Sequence, residues 1–374
     1  MLTPGRCLLL IACAGLSLGL PMSSQLLDRS QPWRPTQPTG SSGFVGSAVC
    51  SKCHASLVTA QRVTGTARAL RTTENCQLLA SHPSLTFRHG EYTYQIVRES
   101  GRSVYKVSYR DESITAPVSY CVGHGETAQT YLLQYKGSIY ESRVSFYPAL
   151  EMLDFTLGAS RGEPESLEAA LGQRLASEDA RKCFSCHATN AVSETQELRL
   201  ESLTAGVSCE ACHGPGAEHV AAVQAGRDPK TGIFSTSTIT GDELSQRFCG
   251  SCHRSFGEVM AMVDLGGAGN VRFQPYRLAK SSCYQGDPKN RRISCVACHN
   301  PHEGVVRESD FYDAKCKACH ATGPNSPASA EKMCSTATKK CSSCHMPKIG
   351  LPEAHAQFTD HFIRVARPGS PYPK

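Results

Sequence analysis

Seven times this chain places two cysteines three residues apart with a histidine directly after the second. The sets are Cys50, Cys53 and His54; Cys183, Cys186 and His187; Cys209, Cys212 and His213; Cys249, Cys252 and His253; Cys295, Cys298 and His299; Cys316, Cys319 and His320; and Cys341, Cys344 and His345. Thiols at that spacing add to the two vinyl groups of a porphyrin, and the adjacent imidazole becomes the proximal iron ligand. C-x-x-C-H is thus the attachment signature of c-type haem. Zinc ribbons also use C-x-x-C pairs, but zinc does not require His in the next position. Composition alone would give about 0.04 such motifs, against the seven present. The expected cofactor is haem c, seven copies, covalently attached.

Of the fourteen His, seven follow the paired cysteines and seven do not: His82, His89, His124, His219, His302, His355 and His361. The totals permit a second imidazole on every iron, which closes it to substrate and leaves it to electron transfer. His302 lies three residues after His299, a reach of about 10 Å, too short to cross to the opposite face of the same haem. It is expected to cap a neighbour. His219 follows a Gly-Pro-Gly turn that re-aims the chain, and is expected to cap a haem as well. His361, in a more apolar stretch, is preferred over His355. His124 sits between Gly123 and Gly125, which let the backbone approach closely, and is the expected sixth ligand of the first haem. His82 and His89 are read as surface residues.

The polypeptide must position these groups with few large side chains of its own. It has 374 residues, one Trp, 7% aromatics and 31 Gly. Porphyrins are expected to fill much of the core. The formal charge of +6 would fit nucleic acid, but two propionates per haem bring the oxidised holoprotein to roughly −1. Nucleic acid is set aside. Twenty cysteines point outside the cytoplasm. Residues 1–23, with Arg6 before an apolar run, read as a signal peptide, lipidation at Cys13 or an uncleaved anchor being the alternatives. Residues 24–43 read as a Pro/Ser-rich linker. Residues 44–83 form a first haem-binding segment, with helical periodicity from Ala55 to Leu70.

Residues 84–160 carry no haem motif and alternate at period two. Strands are expected at Tyr92–Ile96, Tyr105–Tyr109, Val118–Val122, Thr130–Tyr135 and Ile139–Phe146, with turns at Glu99–Arg102, Arg110–Ser113 and Lys136–Ser138. Helical signals return at Ser166–Ala176, and residues 161–367 hold the other six motifs. Their starts are 26, 40, 46, 21 and 25 residues apart, which is no solenoid repeat. Residues 368–374 are a Pro-rich tail. Four cysteines lie outside both the motifs and the leader; Cys76 with Cys121 and Cys283 with Cys334 is the preferred pairing.

The strings CHGPGAEH, CHNPHEG and CSSCHMPK, followed by FTDH, resemble the multihaem cytochromes c related to hydroxylamine oxidoreductase, pentahaem nitrite reductase and the tetrahaem cytochrome of ammonia oxidisers. The resemblance covers about residues 44–70 and 180–365. It implies stacked haem pairs and mostly bis-His ligation, with His219, His302 and His361 at positions matching distal ligands. There are departures. No C-x-x-C-K active-site motif, no eighth haem motif and no identifiable crosslinking Tyr occurs, and Thr66 stands where relatives offer a ligand to the first haem. The expected fold is therefore a mainly α and irregular multihaem cytochrome c fold with a haem-packed core and a small antiparallel β insert. The expected function is electron transfer in an exported protein, periplasmic in a respiratory chain, with redox proteins or a membrane-associated respiratory complex as partners and no catalytic residue assigned. Reduction of a small nitrogen or sulfur oxyanion at one five-coordinate haem is the alternative.

Overall fold

The computed structural model describes residues 43–193, 195–262, 267–285, 293–320, 334, 339–367, 369 and 372. The expected signal peptide, the linker up to residue 42 and most of the tail lie outside them. Alternating apolar and polar residues build the largest element, an antiparallel sheet. Its strands are β1 (Leu70–Thr72), β2 (Ser84–His89), β3 (Tyr92–Glu99), β4 (Arg102–Tyr109), β5 (Glu112–Val122), β6 (Thr130–Tyr135) and β7 (Ser138–Ser142). β8 (Val144–Tyr147) and β9 (Met152–Phe155) form a separate hairpin, and β10 (Gly172–Arg174) returns to the sheet beside β7.

The path runs β10-β7-β6-β5-β4-β3-β2, with β1 on the far end of β5. Positive φ at Ser100 and Gly101, and again at Lys136 and Gly137, makes the tight hairpin turns that match strand twist. A register shift between Val118 and Tyr120 bends β5, and the sheet curls into a half-barrel. Tyr94, Ile96, Tyr105, Val107, Ala116, Val118 and Leu133 point into its core, all buried. Each large apolar side chain so buried contributes about 1.5–3 kcal/mol.

The sheet corrects the expected fold class. The chain is strand-rich, not mainly α with a small insert. β1 and β10 come from segments outside 84–160, and at three residues each they are too short to show period-two alternation. The helical signal at Ser166–Ala176 amounts to one short helix, Leu167–Leu171, which Gly172 ends. Several haem-motif helices run only four or five residues.

Cys76 and Cys121 are both fully buried in the half-barrel core. Cys76 Sγ donates to Gln129 Oε1 at 3.0 Å, and the two cysteines belong to one buried cluster. Cys283 lies near Cys298, Cys316 and Cys319. Protein matured in an oxidising compartment should therefore yield a Cys76–Cys121 crosslinked peptide on unreduced digestion. Recovery of both as alkylated free thiols would refute the bridge.

The first haem segment does not stand apart. Val207 N–H donates to Thr66 O at 3.0 Å, and Gln61 Nε2 donates to Val207 O at 2.6 Å. Gly206 has φ 81°, and a Cβ there would lie 2.0 Å from Ala67 O. Only glycine allows that approach.

Candidate haem sites

All seven C-x-x-C pairs lie on helical turns. On a helix, residues i and i+3 share a face, so both thiols of each pair present to one side. The first pair rides on Ser47–Gln61, the second on Ser177–His187, the third on Cys209–His213, and the fourth crosses from Glu243–Cys249 into Gly250–His253. The last three ride on Cys295–Cys298, Ser309–His320 and Cys341–His345. Among the described residues no cluster of three or more His, Cys, Asp or Glu side chains could hold a bare metal ion.

Three motif imidazoles are oriented by backbone. His187 Nδ1 donates to Ala69 O at 3.2 Å, His213 Nδ1 to Phe234 O at 2.9 Å and His345 Nδ1 to Arg364 O at 3.1 Å. A carbonyl only accepts, so Nδ1 carries the proton and Nε2 keeps its lone pair for a metal. His361 is held likewise, donating Nδ1–H to Thr359 O at 3.0 Å. Burial pushes His361 down to about 4 and lowers His187, His253, His299 and His302. The neutral imidazole that burial favours is the ligating form.

Three His–His ring pairs occur among the described residues. His54 faces His219 with ring centres 6.5 Å apart, His213 faces His302 at 6.1 Å, and His299 faces His361 at 6.2 Å. Every pair joins a motif histidine to a non-motif one. Two imidazoles held by one iron between them should have ring centres about 6.2 Å apart, from two bonds of about 2.0 Å plus about 1.1 Å within each ring. The residues fit haem on that measure. A cavity of about 270 Å³ beside Cys298 and His299, lined also by Val296, Phe311 and Lys315, supplies apolar wall and a cation suited to a propionate.

Sulfur contacts show which motifs adjoin. The Cys50 sulfur neighbours that of Cys209, Cys186 that of Cys252, Cys249 that of Cys295 and Cys316 that of Cys341. The motifs are therefore neighbours in the order second, fourth, fifth, with first beside third and sixth beside seventh.

His219, not His124, faces His54. The sheet holds His124 against Gly65, its Cδ2 3.1 Å from where a Cβ there would sit, with Nδ1 3.6 Å from Glu126 Oε1. His355 Nε2 is engaged by Asp154 Oδ2 at 2.8 Å, and its ring packs edge-on to Tyr147. His82 packs on Phe146 and His89 on Phe155. Two carboxylates escaped the sequence reading. Glu210 and Asp313 are buried beside motif cysteines and accept backbone N–H groups from other motif segments. In sequence they look like ordinary solvated charges.

The family model described as cytochrome c554 and c-prime matches residues 157–214, a stretch holding the second and third motifs. The chain is 26% identical over 227 residues to the multiheme cytochrome MtrA of Shewanella baltica (strain OS185), covering 53% of this chain and 64% of that protein. The match thus spans less than two thirds of the relative's length. No solved structure matches the chain. Haem-attachment turns, paired imidazoles and both likenesses together support a multihaem c-type cytochrome that carries covalently bound haem c and transfers electrons.

Proposed function

We propose that the chain is an exported seven-haem conductor that takes electrons from one redox protein and delivers them to another. The observation that carries this is the three mixed histidine pairs at 6.1–6.5 Å. In this reading the motif cysteines would attach haem c through thioethers, and His54 with His219, His213 with His302 and His299 with His361 would each hold one haem. His187, His253, His320 and His345 are the proximal ligands of the other four. When bound, haem c supplies a one-electron ferric/ferrous couple.

The protein's own task is positional. Backbone carbonyls fix the imidazole tautomers, and doubly ligated sites leave no coordination position for a substrate. Backbone N–H bonds to Glu210 and Asp313 tie neighbouring motif segments together. Export is supported by the cysteine usage and by the apolar leader read from the sequence. Among the described residues no helix is long and apolar enough to cross a membrane. The partners on this reading are an electron donor and an electron acceptor protein.

Intact mass under denaturing conditions should show seven haem additions after expression with a cytochrome maturation system. Five or fewer would sink the seven-haem reading. Electron paramagnetic resonance (EPR) of the oxidised protein should then show low-spin iron from at least the three doubly ligated sites.

A further inference from the structure

Glu210 lies inside the third motif helix and is 4% exposed. Its Oε1 accepts the N–H of Val45 at 2.8 Å and of Gly216 at 2.9 Å, and its Oε2 that of Gly46 at 2.8 Å. Val45 and Gly46 lead directly into Ser47–Gln61, which carries Cys50, Cys53 and His54. Gly216 leads directly into Ala217–Gln224, which carries His219. One carboxylate thus grips the chain just before both members of the His54–His219 pair, and does so from within a third segment.

Asp313 repeats the device elsewhere. It sits three residues before Cys316, on Ser309–His320, and is 3% exposed. Its Oδ2 accepts the N–H of Lys340 at 2.5 Å and its Oδ1 that of Cys341 at 2.8 Å, at the start of the seventh motif. A carboxylate buried without partners costs several kcal/mol, and charge-assisted bonds from two or three N–H groups offset that. Each clamp also spans two adjoining motif segments: Ser47 Oγ lies 3.7 Å from Cys209 Sγ, and Cys341 N–H reaches the helix of Cys316 through Asp313.

We infer that Glu210 and Asp313 are positioning residues that set the spacing within two haem pairs, first with third and sixth with seventh. The inference rests on the electron-transfer reading above. The two clamps share no residue, so each should act on its own pair.

The test compares holoprotein Glu210→Gln and Asp313→Asn with wild type by EPR of the oxidised state and by potentiometric titration, with haem number checked by mass. Both substitutions keep the volume but turn one N–H acceptor into a donor. In Glu210→Gln the spin interaction of the first pair should be lost and a high-spin signal from the His54 haem should appear, with the sixth and seventh haems unchanged. Asp313→Asn should alter the sixth and seventh haems alone. Should Glu210→Gln fail to fold, the Asp313→Asn result decides. Wild-type spectra and titrations in the variants, or a change spread over all haems, overturn the clamp while the electron-transfer reading stands. Absence of interacting haems in the wild type overturns that reading, and the clamp with it.

Discussion

His302→Ala should turn one haem from low-spin to high-spin, and that haem should be the one attached at Cys209 and Cys212. The ring of His302 faces His213 with planes 5° apart and centres 6.1 Å apart, whereas His299, three residues away, faces His361. His213 is fixed from behind by its Nδ1–H bond to Phe234 O, so removing His302 leaves that ligand in place and frees the opposite position. Burial, with His213 nearby, lowers His302 and keeps it neutral, as ligation requires. About one haem in seven should become high-spin and, once reduced, bind carbon monoxide. His89→Ala is the control, because that ring packs edge-on to Phe155. A spin change at the His299 haem instead, or none at all, would remove His302 from the ligand set.

The His302 geometry was open to sequence reasoning because it rests on chain reach, which three residues fix regardless of fold. The placement of His219 opposite His54 was not. It depends on Val207 and Gly206 docking against Thr66 and Ala67, a contact across well over a hundred residues that no local spacing encodes. The long strands were legible in alternation: Tyr92–Ile96 lies within β3, Tyr105–Tyr109 within β4, and the Lys136–Ser138 turn joins β6 to β7. β1 and β10 were not, because their pairing is decided by partners, β5 and β7, and not by their own three residues. Glu210 was invisible for a related reason. An acidic residue within a motif gains meaning only when the fold brings Val45, Gly46 and Gly216 to it.

Asp360→Ala should destabilise the protein by about 3–5 kcal/mol, the usual cost of leaving a buried charge without its partner. Asp360 and Arg277 are both fully buried. Arg277 donates Nε–H to Asp360 Oδ1 at 2.8 Å and Nη2–H to Oδ2 at 2.9 Å, a two-pronged pair. Arg364 adds a third bond to Oδ2 at 2.6 Å, and Phe362 N–H donates to Oδ1 at 3.0 Å. Burial alone would raise the Asp360 carboxyl, but the Arg277 and Phe362 donors outweigh it and hold it below the ordinary carboxylate value. The sign follows. A depressed folded pKa gives stability that is fully present above the unfolded value of about 3.9 and is lost as pH falls through the lower folded value. Denaturant titrations should therefore separate wild type from Asp360→Ala widely at pH 7 and converge in acid. Arg277→Met with Asp360→Leu should recover much of the loss, because a well-packed apolar pair replaces an ion pair at little net cost. The same substitution reaches the haem site. Asp360 precedes His361, whose carbonyl accepts from Ser281 Oγ at 3.2 Å, so Asp360→Ala should also loosen His361 and raise the high-spin fraction at the His299 haem. A variant within 1 kcal/mol of wild type at pH 7, a margin well below the buried-charge cost, would show that Asn270, whose Oδ1 accepts from Arg277 Nη1 at 3.4 Å, satisfies Arg277 without Asp360.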